Sequence, residues 1–431
     1  MSTLSELIKE KESLPIGNIY TKKINGKNYT YYQFFKDGKR FSQIVKNNDI
    51  ETLKAQINRR KELETLIAKY RSKEKRVVLS KNAEKITGYL MSGNIPVAKF
   101  ENGQLLEMNE SLVPLVIKKT KSIEKFLDLR VIDMSRTNAR ILKKALNITI
   151  DDETKIPLYA YALSISDDYW FKPKHSKIKY MDIKFNNDIY SDAALKGDLT
   201  IFPHKTELTP EITTTGSFEK GWKMVNGEWW LYKSGKPKQL FSEMFCYKFA
   251  KLIGINTAIY EIDGEYIRSK NFAEVCNFEP MAAIADNNDN YEFVFSLLHQ
   301  IDKAISKDYL KLIFFDSVVN NIDRHNENTG LLRERGTGKI ISLAPNFDNN
   351  LALISTVDVL KDAKKDKFVE MFVDFLNKNE MARKLFKEIT FKTIVELDLE
   401  RIIDDIPIKI DNSEDIIKKV YQRYTYLKDL F

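Results

Sequence analysis

Two carboxylates and an amide in the second half of the chain have the types and order that metal-dependent phosphoryl transfer requires. Asp323 and Asn328 lie five residues apart in "NNIDRHNENTG", directly after the apolar segment "YLKLIFFDSVV", and Asp348 follows in "APNFDNN". One carboxylate can orient an acceptor hydroxyl and take its proton, while an amide oxygen and a second carboxylate hold Mg²⁺ against phosphates. The sequence therefore predicts Asp323 as a catalytic base and Asn328 and Asp348 as metal ligands.

The spacing from Asp323 to Asn328 equals that of the catalytic loop H-R-D-x-x-x-x-N, although here the His and Arg follow the Asp. Asp348 then takes the part of the Asp in a downstream D-F-G motif. A simpler interpretation is a polar turn in which Asp323 caps the next segment. Further residues of a phosphoryl-transfer site occur in the right order along the chain, and they favour a catalytic role for Asp323 over a role as a helix or turn cap.

A lysine and a glutamate upstream supply two of these further residues. Lys233 ends the strand-like run "EWWLYKSG", and Glu243 lies ten residues later in the helical segment "SEMFCYKFAKLIG". Because a buried lysine without a partner is costly, we expect a Lys233–Glu243 ion pair. The alternative is a surface lysine whose ammonium reaches water.

The segment "TTTGSFEKGW" (213–222), upstream of Lys233, has the composition of a phosphate-binding loop. Its hydroxyls and free backbone N–H groups can wrap phosphate oxygens, and we expect Thr215, Gly216 and Ser217 to do so. It is not a GxGxxG motif, and an ordinary loop can have the same composition. A second glycine-containing segment, "RGTGKI" (335–340), lacks the first glycine and the Ser/Thr of a P-loop and is expected to be a hairpin turn.

Length and composition indicate a globular protein of two or three domains. The chain has 431 residues, of which 43% are hydrophobic. Its two cysteines form no CxxC motif, which argues against a disulfide framework or a zinc ribbon. The first residues lack a signal-peptide core, and no apolar segment approaches the roughly 20 residues that span a bilayer. We therefore expect a soluble cytoplasmic protein without a membrane partner.

The positive charge is concentrated at the front of the chain. Residues 1–79 contain 18 Lys and Arg against 9 Asp and Glu, whereas residues 80–431 contain 51 against 52. Turn signals at Asn25-Gly26 and Asp37-Gly38 predict a sheet of about three strands, and a long charged helix follows. Such a basic, aromatic-rich module can contact nucleic acid, although charge runs are usually solvated surface.

Five blocks of sequence together resemble the HipA-like serine/threonine kinases of bacteria. They are "TTTGSFEK", "WLYKSG", "SEMFCYKFAKLIGI", "NNIDRHNEN" and "APNFDNN", and their order and spacing are similar to that family over residues 150–431. Two further segments, "IPVAKFENGQL" and "SRTNARILKKAL", are similar to an N-terminal unit of Gram-positive relatives.

The resemblance implies an α+β, two-lobed, protein-kinase-like (HipA-like) fold with an all-helical C-terminal lobe. The corresponding division of the chain is a basic sheet-and-helix module (1–79), a HipA N-terminal-like subdomain (80–147), a kinase N-lobe (148–280) and a helical C-lobe (281–431). The basic module lies outside the best-known members of the family.

The resemblance also implies roles for individual residues. Asp323 is the catalytic base, Asn328 and Asp348 bind Mg²⁺, Lys233 binds the ATP phosphates, and His325 lies near these phosphates. In this family the leading Ser or Thr of a flexible phosphate loop is autophosphorylated, which silences the enzyme. That position is Thr213 here, and the remaining hydroxyls of the loop are Thr214, Thr215 and Ser217.

Three classes of function follow and stay open at this point. The first is an ATP- and Mg²⁺-dependent protein kinase, which in the family is a toxin paired with a DNA-binding antitoxin or acts on translation factors. The second is a regulatory protein that binds DNA or a partner through residues 1–79 and has a non-catalytic kinase body. The third is a kinase acting on a non-protein substrate. The set Asp323, Asn328, Asp348 and Lys233 favours an active kinase, because a scaffold need not keep all four.

Overall fold

The protein combines helices with antiparallel sheets, as the α+β prediction expects, and its described elements after residue 343 are helices only. The structure, a computed structural model, describes residues 4–24, 27–36, 39–78, 86–145, 153–197, 208–216, 218–353 and 366–430. The described strands are β1 (Asn18–Ile24), β2 (Lys27–Lys36), β3 (Lys39–Ile44), β4 (Gly88–Ser92), β5 (Ile95–Glu101), β6 (Gln104–Met108), β7 (Tyr169–Pro173), β8 (Lys220–Val225), β9 (Glu228–Lys233), β10 (Tyr260–Asp263), β11 (Tyr266–Lys270), β12 (Cys276–Pro280), β13 (Gly330–Glu334) and β14 (Ile340–Leu343). The described α-helices are α1 (Leu4–Glu12), α2 (Asn47–Val78), α3 (Leu115–Thr120), α4 (Ile123–Asp128), α5 (Thr137–Ala145), α6 (Tyr180–Ile183), α7 (Ser191–Lys196), α8 (Pro237–Leu252), α9 (Ala282–Ala285), α10 (Tyr291–Ile301), α11 (Lys303–Val319), α12 (Lys367–Lys378), α13 (Glu380–Lys387), α14 (Glu396–Asp404) and α15 (Ser413–Asp429).

The basic N-terminal region contains the predicted small sheet and long helix. Strands β1, β2 and β3 pair in sequence order, and α2 follows them. The residues of the two predicted turns, 25–26 and 37–38, lie outside the described residues. Apolar side chains of α1 and α2 form a small cluster of their own, consisting of Leu7, Ile8, Leu63 and Ile67.

A second sheet has the strand order β6-β5-β4-β7. Strand β7 pairs with β4 from Gly88↔Pro173 to Ser92↔Tyr169. This pairing supplies the partners that the backbone groups of a buried strand need. It crosses the predicted boundary at residues 147 and 148, so the chain on both sides of that position contributes to one sheet.

The third sheet, β10-β11-β9-β8, carries the predicted ATP lysine. A hairpin at Asn226-Gly227 joins β8 to β9, and both turn residues have positive φ, 53° and 84°. A two-residue turn of this kind sets the register of the flanking strands. It places Lys220 directly opposite Lys233.

Helix α11 is the centre of the C-terminal half. It packs against α10, α12, α13 and α15, and Phe314 and Phe315 are fully buried within these contacts. Asn320 ends the helix in the left-handed conformation, with φ 53°. This conformation turns the chain away from the helix axis and into the segment that contains Asp323.

The expectation of an all-helical half beginning at residue 281 is wrong in one respect. Strands β13 and β14 form a hairpin, and β13 pairs with β12. The physical reason is that the backbone N–H and C=O groups of β12 need hydrogen-bond partners, and β13, shortly after Asn328, supplies them. The segment "RGTGKI" forms the turn of this hairpin, as predicted.

Two observations bear on the cellular setting expected from the sequence. Cys246 and Cys276 are both buried and neither forms a disulfide. Within the described residues, every helix is too short or too polar to cross a lipid bilayer.

Removing the side chain of Phe314 is expected to destabilise the protein by about 3–5 kcal/mol, because its ring is fully buried and stacks on Phe391 with centroids 4.2 Å apart. Urea unfolding of Phe314→Ala measures this loss. Phe293→Ala is the control, since that ring is 42% exposed and its loss should cost less than about 1 kcal/mol. Equal losses in both variants would contradict the position of Phe314 in the core.

Candidate active site

The segment after α11 holds Asp323 and Asn328 in a network of side-chain hydrogen bonds. Asn321 Nδ2 donates to Asp316 Oδ1 at 3.0 Å, and Asn321 Oδ1 accepts the backbone N–H of Asp323 at 3.2 Å. Asn328 Nδ2 donates to the carbonyl of Asp323 at 3.0 Å. The loop is therefore anchored at both of its predicted functional residues.

Arg324 joins this loop to the segment that carries Asp348. Its guanidinium makes a bidentate ion pair with buried Asp316, with distances of 2.8 and 3.1 Å. The same group donates to further oxygens on both loops: the carbonyls of Asn328 and Phe347 and the side chains of Asn346 and Asn349. Burial opposes the charge of Arg324, but Asp316 outweighs it and raises the pKa of Arg324. Sequence reasoning did not assign this residue a role.

Asp348 adopts a backbone conformation that side-chain-bearing residues rarely take, with φ 58°. Its N–H donates to the hydroxyl of buried Tyr260 at 3.0 Å, and the next N–H, of Asn349, donates to Glu243 at 2.9 Å. Strained residues held by such contacts cluster at functional sites. The contacts point the carboxylate of Asp348 towards Lys233.

Lys233, Glu243 and Asp348 form a buried ion triad. Lys233 Nζ lies 2.8 Å from Glu243 Oε1 and 2.8 Å from Asp348 Oδ1, so the predicted Lys233–Glu243 pair is present. Helix α8 begins at Pro237, five residues before the predicted start, because proline suits the first helical position. Burial would raise the pKa of Asp348, but the charges of Lys233 and Lys220 hold that pKa below its ordinary value.

Lys220 is a second buried lysine in the site, and sequence reasoning did not single it out. It is 4% exposed, and no described group pairs with its ammonium. A Cβ atom built on Gly216 would lie 2.5 Å from Lys220 Nζ, so the ammonium sits against the predicted phosphate loop. Burial lowers the pKa of Lys220 to about 8, against the charge of Asp348, which raises it.

The described part of the phosphate loop is docked onto its surroundings. Thr213 is buried at the end of a 3₁₀ turn, Pro210–Thr213, and its hydroxyl donates to Pro210 O at 3.1 Å. Thr214 donates to the same carbonyl at 2.8 Å and accepts a bond from Trp222 at 3.0 Å. The buried guanidinium of Arg136, before α5, donates to the carbonyl of Thr214. Ser217, another predicted phosphate contact, lies outside the described residues.

Asp323 and His325 face solvent more than the ion triad does. Partial burial raises the pKa of Asp323, against the charge of His325, which lowers it. His325 Nδ1 accepts the backbone N–H of Glu327 at 3.2 Å. A neutral His325 with that bond carries its proton on Nε2, where it can act as a donor.

A single cavity of about 480 Å³ connects these groups. The described residues that the sequence assigned to the site all line it, except Glu243, which lies behind Lys233. They are Thr213, Thr214, Thr215, Gly216, Lys233, Asp323, His325, Asn328 and Asp348. Lys220 lines it as well.

One end of this cavity is apolar. Leu231, Phe272, Phe278 and Phe347 line it, and the ring of Phe347 packs on Phe272 and Phe278 with centroids 5.3 and 5.7 Å apart. Ser269 of β11, opposite Leu231 in the sheet, also lines the cavity. The cavity thus has an aromatic end suited to a planar ring and a charged end suited to phosphates.

The chemistry of Asn328 and Asp348 fits a magnesium ion. One oxygen of Asp348 is paired with Lys233, and no described group donates to its other oxygen. Asn328 uses its Nδ2 on Asp323, which leaves its side-chain oxygen available. Carboxylate and amide oxygens are ligands of Mg²⁺, which usually keeps several waters and substrate phosphates as its other ligands.

The solved structures that are similar to this chain include HipA and CtkA. HipA of a toxin–antitoxin system from Shewanella oneidensis, solved with HipB and operator DNA, matches 79% of this chain and 96% of its own, with TM-score 0.53 and 12% identity. The Helicobacter pylori proinflammatory kinase CtkA matches 48% of this chain and 90% of its own, with TM-score 0.39 and 16% identity. No protein-family model and no curated protein matches the sequence. The similarity to HipA shows the fold: the chain has a HipA-like, kinase-like architecture.

Glu211, beneath the phosphate loop, is fully buried and accepts the backbone N–H of Trp222 at 3.0 Å and the hydroxyl of Thr209. Burial raises its pKa from 4.5 to about 7, against these hydrogen bonds, which lower it. A raised carboxyl pKa means that the folded state holds the proton longer than the unfolded state. The contribution of Glu211 to the free energy of unfolding is therefore fully present below pH 4.5 and is lost as the pH rises to about 7.

We expect Glu211→Gln, which is neutral at every pH, to escape this loss. Relative to the parent, its unfolding free energy should rise by roughly 3 kcal/mol between pH 4.5 and pH 8, because one pKa unit corresponds to about 1.4 kcal/mol. Chemical unfolding over that pH range measures the difference. Glu274→Gln, at an exposed position, is the control and should show no such trend. A constant difference between Glu211→Gln and the parent would mean that Glu211 does not titrate there.

Proposed function

We propose that the protein is a serine/threonine kinase that transfers the γ-phosphoryl group of ATP to a protein hydroxyl. The observation that carries the proposal is the ion triad, in which Lys233 contacts both Glu243 and Asp348 at 2.8 Å in the cavity that also contains Asp323. An ordinary structural ion pair does not require a third charge and an adjoining cavity. A lysine held by two carboxylates beside a cavity is the arrangement that binding of ATP phosphates and a metal ion requires.

ATP fits the cavity in one direction. Its adenine lies at the aromatic end, against Phe272 and Phe347, and its phosphates lie at the charged end. Lys233 and Lys220 then supply fixed positive charge, and the backbone of Thr215 and Gly216 supplies donors. The Nε2 proton of His325 is a further donor for a phosphate oxygen.

Asp323 accepts the proton of the attacking hydroxyl in this proposal. The new O–P bond forms while the bond from phosphorus to the ADP oxygen breaks, so ADP leaves and the hydroxyl proton resides on Asp323. Mg²⁺ held by Asn328 and Asp348 supplies charge neutralisation for the phosphates. The raised pKa of Asp323 makes it a better base than an exposed carboxylate.

Autophosphorylation of the loop requires a change of conformation. Thr213 is buried and its hydroxyl is bonded to Pro210, so phosphorylation at Thr213 needs release of the 3₁₀ turn. Thr214 is held by the same carbonyl and by Trp222. Modified Thr213 or Thr214 would not return to this docked arrangement, because a phosphate dianion would be buried there.

The proposal includes a protein partner. The Shewanella oneidensis relative was solved with HipB and operator DNA, and we extend a DNA-binding antitoxin partner to this chain on that basis. The substrate is a protein, with a translation factor as the first candidate to test. A small-molecule acceptor is the alternative, and co-purification followed by phosphoproteomics separates the two.

The variant Asp323→Asn should lose phosphoryl transfer by a factor on the order of 10² to 10⁴, because it removes the base while keeping the size of the side chain. Mass spectrometry after incubation with ATP and Mg²⁺ should find phosphate within residues 213–217 of the parent and none in this variant. Asp308→Asn, at a half-buried position outside the cavity, is the matched control. A rate for Asp323→Asn within about threefold of the parent would refute the assignment of the base.

The variant Lys220→Met should bind ATP about tenfold more weakly and should not be less stable than the parent. It removes a phosphate contact worth on the order of 1.5 kcal/mol, and it also removes a buried charge without a described partner. Calorimetric titration with ATP and thermal unfolding measure the two effects.

Lys223→Met, on the same strand, is the control. Lys223 pairs with Asp192 at 2.7 Å and lies outside the cavity lining, so its loss should lower stability and leave ATP affinity unchanged. If the Lys220 and Lys223 variants behave alike, Lys220 is structural.

A further inference from the structure

The sheet β1-β2-β3 of the basic region has little packing on either face. Within the described part of its strands no side chain is fully buried. The apolar cluster of this region joins α1 to α2 and includes no strand residue. A three-stranded sheet usually packs a hydrophobic face against another layer, so this one offers an open surface for a partner.

One face of this sheet, here called the tyrosine face, is polar and aromatic. The register places Tyr20 beside Tyr31 and Lys22 beside Tyr29 on that face. The rings of Tyr20 and Tyr31 stack with centroids 5.4 Å apart, and the Tyr20 hydroxyl is bonded to Ser42 at 3.0 Å. The described members of the tyrosine face are Asn18, Tyr20, Lys22, Lys27, Tyr29, Tyr31, Gln33, Ser42 and Ile44.

The sheet carries positive charge with no acidic residue beside it, whereas α2 carries both signs. The sequences of β1, β2 and β3 contain no Asp or Glu, and Lys22 and Lys27 have no ion pair among the described residues. Helix α2 contains nine Lys and Arg against five Asp and Glu, and part of its positive charge is paired, as in Lys54–Glu51 at 2.8 Å and Arg60–Glu64 at 3.1 Å. The partner that matches the sheet is therefore a polyanion.

We propose that the tyrosine face binds duplex DNA, with Lys22 and Lys27 on the phosphates. Strands as well as helices can enter the major groove of B-DNA and contact the phosphates that flank it. Because Tyr20 and Tyr31 stack on each other, the face presents hydroxyl and amide groups, which suit base edges and phosphates better than they suit unstacked bases.

The surface lies outside the kinase cavity, so this proposal is independent of the proposed phosphoryl transfer. None of the residues of the tyrosine face lines the 480 Å³ cavity. If the protein proves to have no kinase activity, the proposal of DNA binding is unaffected. If it proves not to bind DNA, the proposal of phosphoryl transfer is unaffected. Failure of either proposal is thus recognisable by itself.

Fluorescence anisotropy of the full chain with a labelled 20-base-pair duplex, over a range of NaCl concentrations, tests the proposal. The double variant Lys22→Gln/Lys27→Gln should bind at least about tenfold more weakly at 100 mM salt. Its slope of log affinity against log salt should be shallower by about 2, since each phosphate contact contributes about 0.9. Lys99→Gln/Lys378→Gln, which removes one half-buried and one exposed lysine, each ion-paired on another element, should change neither quantity.

Three outcomes overturn the proposal. They are no salt-dependent binding of the duplex by the parent chain, equal salt slopes for the two double variants, and tighter binding of single-stranded DNA or RNA than of the duplex. The last result would identify the tyrosine face as a base-stacking surface for single strands. Circular dichroism and melting temperature of each variant show that the fold is retained.

Discussion

The ion pair between Arg324 and Asp316 is the interaction on which the candidate active site depends. It fixes the end of α11, and the remaining guanidinium donors hold the loop of Asp323 and the loop of Asp348 at the same time. A buried charge is stable only when its partners are complete, so neither loop can move without leaving Arg324 donors unsatisfied. A lysine cannot replace it, because an ammonium lacks the planar fork that reaches several acceptors at once.

The ion triad adds a second constraint that connects different elements. Lys233 belongs to the sheet, Glu243 to α8 and Asp348 to the loop that Arg324 holds. Together with Lys220, these residues place two positive charges on the cavity wall before any ligand enters. Fixed charges of this kind need no reorganisation during a reaction. The loop 213–216 is held by polar groups as well, since buried Arg136 donates to the carbonyl of Thr214 and buried Glu211 lies beneath it. Because these groups are buried, the loss of a hydrogen-bond partner would be costly for them.

Much of the local structure and of the site was predictable because it depends on short-range rules. The Asn226-Gly227 turn predicts the β8–β9 hairpin, and its two-residue length by itself places Lys220 opposite Lys233. The spacing of Asp323, Asn328 and Asp348 predicted residues that the structure brings to one cavity. Arg324 was not predictable in the same way, because its partners lie on a helix before it and on a loop after it. The pairing of β7 with β4 also joins residues about 80 positions apart, which no local pattern indicates.

The sequence by itself determined the residue types available for chemistry, the helix that ends before Asp323 and the hairpin that carries Lys233. These follow from side-chain chemistry and from backbone preferences over a few residues. The tertiary structure decided which charges are buried and which oppose one another, and hence that Lys220 and Lys233 share a wall with Asp348. It also decided that Lys22 and Lys27 have no ion pair among the described residues, while Lys54 and Arg60 of α2 are paired with Glu51 and Glu64. Burial and charge compensation depend on contacts between distant segments, so they become fixed only when the chain has folded.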